Sequence, residues 1–184
     1  MATGKDPRIT TSYRRAEPGE GALLHELAAA TFGLACPPST PHSDIEEFIA
    51  THLARERFAR YLDDPDRVII VATSDSGFVG YSMLVFGVPT DSDVAAVVTA
   101  RPTVELSKFY LALTAHGTGV AADLMRVTLD NARLRGAGTV WLGVNQQNAR
   151  ANRFYEKNGF SIVGNKQFSL GDRVEDDFVR ELTL

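Results

Sequence analysis

The segment from Pro102 to Val144 restricts the fold more than any other part of the chain. Pro102–Leu113 has the mixed apolar alternation of a strand. Gly117–Arg135 then places Val120, Ala121, Leu124, Val127, Thr128 and Ala132 on one helical face. Arg133 and Arg135 sit at its C-terminal end, where the helix dipole favours cations. Gly136 and Gly138 terminate this helix, and Thr139–Val144 reads as a buried strand. A strand–helix–strand unit of this kind implies a parallel pair of neighbouring strands or a close variant of one. The chain is therefore expected to be a mixed α/β domain.

The flanking segments fit that frame. Thr10–Ala16 reads as a short strand and Gly21–Phe32 as a helix, with Gly33 as its stop. Ser43 and Asp44 before Glu46 and Glu47 predict the N-cap of a second helix running to about Leu53. Arg55–Leu62 continues helically to the Asp63-Asp64-Pro65 break. Arg67–Thr73 and Phe78–Phe86, joined at Ser74-Asp75-Ser76-Gly77, read as a hairpin. Gly87–Arg101 reads as a loop with a short apolar piece at Val94–Val98. Asn148–Asn158 is a short helix ended by Gly159, and Phe160–Leu170 and Glu175–Thr183 are two final strands. The predicted order is β, α, α, β, β, β, α, β, α, β, β. Residues 1–9 are expected to be a flexible tail and 10–184 a single domain, which suits a chain of 184 residues.

Two patterns carry chemistry. His116-Gly117-Thr118-Gly119-Val120-Ala121 follows a strand and opens the amphipathic helix. Glycines let a ligand approach the backbone, and the first helical N–H groups have no partner within the helix. Such a turn suits a pyrophosphate. It is equally the turn that any strand-to-helix connection requires. It is neither a Walker A loop nor a Gly-x-Gly-x-x-Gly fingerprint. In the second pattern, Asn148, Ala151 and Tyr155 fall on one helical face, which suits a thin ligand; Phe154 and Tyr155 also suit a core.

Together these patterns resemble the GCN5-related N-acetyltransferase (GNAT) superfamily. Its loop Gln/Arg-x-x-Gly-x-Gly/Ala corresponds to His116-x-x-Gly119-x-Ala121, with His116 as the departure. Its later motif corresponds to Asn148-x-x-Ala151-x-x-Phe154-Tyr155-Glu156-Lys157-x-Gly159-Phe160. The likeness runs from Tyr13-Arg14-Arg15-Ala16 onward and is densest from Val104 to Leu170. Trp141-Leu142-Gly143-Val144, Phe168-Ser169-Leu170-Gly171-Asp172 and Asp176-Asp177 also look like the PaiA-type spermidine/spermine acetyltransferases. This chain departs from those at Asn145 and at Glu175-Asp176-Asp177.

The resemblance implies a mostly antiparallel sheet with a splayed parallel strand pair and flanking helices. It implies acetyl-CoA as co-substrate and direct transfer to a primary amine of a small cationic molecule such as a polyamine. The pantetheine arm would pair with the backbone of Tyr110, Leu111 and Leu113 like an added strand. The diphosphate would lie on the amides of His116, Gly117, Thr118, Gly119, Val120 and Ala121, with Asn148 and Phe154 also facing the cofactor. An N–H near Leu111 would stabilise the carbonyl oxygen by roughly 3 kcal/mol. An alkyl amine, with a pKa of about 10, arrives protonated. Glu105 is then the candidate base, through water, or else a solvent-facing strand carboxylate. Tyr155 is the candidate acid for the thiolate.

Other readings are narrower. A net charge of −4 argues against a nucleic-acid partner and fits a cationic substrate. Asp44, Glu46, Glu47, Asp91 and Asp93 are acidic positions expected around the acceptor. Cys36 is the single cysteine, so no disulfide forms within the chain, and it has no sequence-adjacent His to activate it. His25, His42, His52 and His116 show no metal-ligand spacing, so no metal is expected. No apolar run is long enough to span a membrane, and the N-terminus shows no leader, which predicts a cytoplasmic protein. A dimer through the C-terminal strands is expected by analogy. The alternatives are a peptide or protein acetyltransferase, with a groove shaped by Gly87–Arg101, and a non-catalytic acyl-CoA-binding module.

Overall fold

Val68, Ile69, Ile70 and Val71 are buried as a continuous run, so both faces of their strand must be covered. A computed structural model describes residues 10–184 and shows how. The tail expected at 1–9 lies outside the described residues. The elements are β1 (Ser12–Arg15), α1 (Gly21–Thr31), α2 (His42–His52), α3 (Arg55–Asp63), β2 (Arg67–Ser74), β3 (Gly77–Phe86) and α4 (Ser92–Val97). They continue with β4 (Thr103–Leu111), α5 (Val120–Leu134), β5 (Thr139–Asn145), α6 (Ala149–Lys157), β6 (Ser161–Leu170) and β7 (Arg173–Thr183).

The strands form one sheet in the order β1-β2-β3-β4-β5-β7-β6. Every neighbouring pair is antiparallel except β4–β5, which is parallel, as the strand–helix–strand unit requires. One face is covered by α5, whose Leu124, Met125, Thr128 and Ala132 are fully buried against β2, β3 and β4. Burying a Leu or Met side chain of this kind is worth about 1.5–3 kcal/mol. The Thr128 hydroxyl lies 2.6 Å from that of Ser82 and donates to Leu124 O, so both buried hydroxyls are satisfied. The other face is covered by α1 and α3 through Leu24, Leu27 and Phe58.

Three local expectations change. The first helix continues past Gly33 as a 3-10 turn, Phe32–Ala35. Helix α2 begins at His42 behind Pro41 with no side-chain cap, because the fixed φ of Pro41 starts the turn before Ser43 or Asp44 can act. The loop expected at Gly87–Arg101 contains α4. Asp91 caps it by accepting from the amides of Asp93 and Val94, and Val94 and Val98 bury against Trp141 and Val179.

Candidate active site

The parallel pair is joined only over Thr103–Glu105 and Thr139–Trp141. On its other edge β4 pairs with β3, where Leu84 faces Leu106 but Met83 faces Lys108. Ser107 is thus an extra residue, a β-bulge, and a bulge bends its strand. Beyond it β4 and β5 no longer pair. A cavity of about 660 Å³ opens between them. Ala112 N–H donates to Val79 O on β3 at 2.9 Å. Backbone direction alternates along a strand, so the N–H groups of Phe109 and Leu111 point the opposite way, toward the gap.

One end of the cavity is backbone. Gly117 and Gly119 have φ of +77° and +91°, a region that only glycine enters without strain, and a Cβ at either would meet nothing. The glycines are there for the turn itself. The amides of Gly117, Gly119, Val120 and Ala121 donate to no backbone carbonyl of a described residue, and they open a helix of 15 residues. His116 ties this loop down. Its Nε2 accepts from Arg150 Nη2 at 2.9 Å, and its ring also bonds the Leu111 backbone. Burial and then Arg150 hold the imidazole below its usual pKa, so it is neutral at pH 7.

Helix α6 forms the next wall. Asn148 caps it, accepting from Ala151 N at 3.0 Å and donating to Ala35 O at 3.4 Å. Asn148, Ala151 and Tyr155 all line the cavity, as their spacing predicts. The Tyr155 ring is fixed edge-on against Phe160 (5.8 Å) and Phe154 (5.6 Å). Its hydroxyl makes no hydrogen bond with a described residue, and burial raises its pKa.

The other end is built from charged side chains on aromatic walls. Phe32 stacks on Phe48 at 4.4 Å, and Phe48 meets Phe168 at 5.6 Å. Glu105, Lys108, Lys166, Glu175 and Asp177 enter from three strands. Burial raises the Glu105 carboxyl above the ordinary range, opposed by Lys166 and Lys108. Asp177 is pushed up to about 6, mainly by burial. Glu175 accepts from Asn145 Nδ2 at 3.4 Å and pairs with Arg173 Nε at 3.2 Å. A Cβ at Gly143 would stand 3.3 Å from both Asp177 Oδ2 and Lys166 Cδ, so glycine there leaves room for these chains. Cys36 also lines the cavity, but burial raises its thiol pKa to about 11, which suppresses the thiolate.

Of the residues singled out from sequence, Glu105, Tyr110, Leu111, His116, Gly117, Ala121, Asn148, Phe154 and Tyr155 line this cavity. Leu113, Thr118, Gly119 and Val120 are outside the lining: Leu113 is exposed, Val120 is buried in the core, and the Thr118 hydroxyl donates to Ala115 O. Asp44, Glu46 and Glu47 do not line it, whereas Asp91 reaches it indirectly through Lys166 at 3.8 Å. Sequence reasoning missed Lys108 and Lys166. Lys108 follows a bulge that only strand pairing reveals.

Residues 27–160 match the family described as "Acetyltransferase (GNAT) family". The chain belongs to that family. A relative is an N-acetyltransferase of Mycobacterium tuberculosis, 48% identical over 161 residues, which span 86% of this chain and 96% of that one. The GNAT fold recurs in PaiA N-acetyltransferase of Thermoplasma acidophilum in complex with coenzyme A, at a TM-score of 0.76 and 19% identity over 96% and 100% of the two chains. It recurs in the spermidine/spermine N-acetyltransferase SpeG of Vibrio cholerae, at 0.63 and 17% over 95% of each. Among the described residues of this GNAT chain, no group of three or more His, Cys, Asp or Glu could hold a metal, and no helix is long and apolar enough to cross a membrane.

Proposed function

We propose that the chain transfers acetyl from acetyl-CoA directly to the primary amine of a small molecule that arrives with that amine as an ammonium cation. The observation that carries this reading is the gap behind the Ser107 bulge, with loop amides at one end, the Tyr155 hydroxyl on the α6 wall and the Glu105 carboxyl at the other end. The residues fit the cofactor. Four free amides at a helix N-terminus suit a diphosphate, and the inward N–H groups of β4 suit an amide-bearing arm. Bound acetyl-CoA supplies the activated acetyl thioester.

The chain's own residues do the rest. The gap orients the thioester along β4, so that the amine approaches as an intramolecular partner. Leu111 N–H offers its hydrogen bond to the carbonyl oxygen, where charge develops. Glu105, made more basic by burial, takes the ammonium proton directly or through water. Tyr155 Oη, with no hydrogen-bond partner among the described residues, gives a proton to the departing sulfur. Glu175 and Asp177 favour the cationic acceptor.

Calorimetric titration with acetyl-CoA, followed by thiol release over an amine panel, tests this reading. Binding and amine-dependent thiol release are expected. Binding without turnover on any amine or peptide would make the chain an acyl-CoA-binding module instead.

A further inference from the structure

Resting on the acetyltransferase reading, we infer that the acceptor carries an anionic group as well as its amine, and that Lys108 holds that anion. The cavity contains three carboxylates, and their surroundings differ from those of its two ammonium groups. Lys166 is answered by acids: Asp91 lies 3.8 Å away, and both Glu105 and Asp177 feel its charge. Lys108 has no carboxylate within ion-pair distance among the described residues and is answered only through the charge of Glu105. It makes no hydrogen bond and no ion pair with a described residue; the Tyr61 ring lies 5.6 Å from Nζ.

Its setting adds positive charge. Arg67 on β2 depresses the ammonium and His52 on α2 feels it, while Glu105 on its own strand is the single carboxylate acting on it. Burial lowers the Lys108 pKa to about 8, so most of it is still an ammonium at pH 7. A buried ammonium without a partner is costly, and it is retained where a ligand completes it. Lys108 lines the acceptor end of the cavity, across from the carboxylates of β7. Each wall at this end holds an ammonium and at least one carboxylate, Glu105 and Lys108 on β4 facing Lys166, Glu175 and Asp177 on β6 and β7, and of the two ammonium groups Lys108 is the one without an ion-pair partner among the described residues. A polyamine would place a second cation against Lys108. An amine bearing a carboxylate or a phosphate supplies the missing partner.

The test is thiol release from acetyl-CoA with four acceptors matched in length: an ω-amino carboxylate, its methyl ester, an aminoalkyl phosphate and a diamine. A charge-assisted hydrogen bond predicts a kcat/KM preference of roughly ten- to a hundredfold for an anionic acceptor over ester and diamine. Whichever of carboxylate and phosphate wins identifies the anion. Lys108→Met should raise KM for the anionic acceptor and collapse the preference toward one, while Lys108→Arg keeps most of it. Ester or diamine turned over as well as the anionic acceptors overturns this inference and leaves the acetyltransferase reading standing. An equal loss on all acceptors in Lys108→Met overturns it too. No thiol release with any acceptor overturns the acetyltransferase reading and this inference with it.

Discussion

The two ends of the β4–β5 gap are built by different means. The loop end is backbone: two left-handed glycines, four free amides and a helix dipole, with no carboxylate among them. The acceptor end is side chain: five charged groups from three strands, held on aromatic walls, with Glu105, Lys108 and Asp177 shifted by burial. Backbone donors recognise what a whole family shares, because nearly any sequence can supply them. Buried charges recognise one partner, and each destabilises the free protein until that partner arrives.

This contrast can be broken by mutation. The largest effect is expected at the hydroxyl between the two ends. Tyr155→Phe should lower kcat about a hundredfold while calorimetric acetyl-CoA affinity stays the same. A matching loss of affinity would make Tyr155 part of the cofactor wall instead. Glu105→Gln should cost roughly tenfold or more and abolish the acid limb of the pH–rate profile. In the wild type that limb lies above the ordinary carboxylate range, since activity falls as the buried group protonates. An unshifted profile would remove Glu105 as the base.

Smaller effects separate the ends by stability. Unfolded Asp177 titrates near 3.8 and folded Asp177 near 6. Between those values the folded chain holds more protons, so stability falls as pH rises, and the full cost is present above 6. Asp177→Asn should therefore stabilise the protein at pH 7.5 by on the order of 2–3 kcal/mol, and by little at pH 4, in chemical denaturation. At the loop end the sign reverses. Gly119→Ala should cost about 1–2 kcal/mol of stability, since φ is +91°, and should raise KM for acetyl-CoA more than KM for the amine. A stable Gly119→Ala protein with unchanged kinetics would show that the loop's conformation is not what binds.

The same contrast explains what could be read from the sequence. The loop end lies within a few residues of one strand–helix junction, so His116, Gly117 and Gly119 declared it. Spacing alone placed Asn148, Ala151 and Tyr155 on one face. The parallel pair followed from the helix between its strands. The acceptor end joins β4 to β6 and β7 across 58 to 72 positions, and no local pattern joins Glu105 and Lys108 to Lys166 or Asp177. The Ser107 bulge shifts Lys108 onto the Glu105 face, which strict alternation would deny it. Helix α4 escaped notice because six residues are too few to show a period, although Asp91 ahead of Asp93 and Val94 was a usable cap.

Direct transfer is the claim on which the account turns, and the initial-velocity pattern tests it most directly. Thiol release should be measured with acetyl-CoA and the amine varied against each other. Intersecting double-reciprocal lines are predicted, because both ends of the gap must be filled before the acetyl moves and the Cys36 thiol is held near 11. Parallel lines, abolished in Cys36→Ser, would establish a covalent acetyl-enzyme and contradict the account.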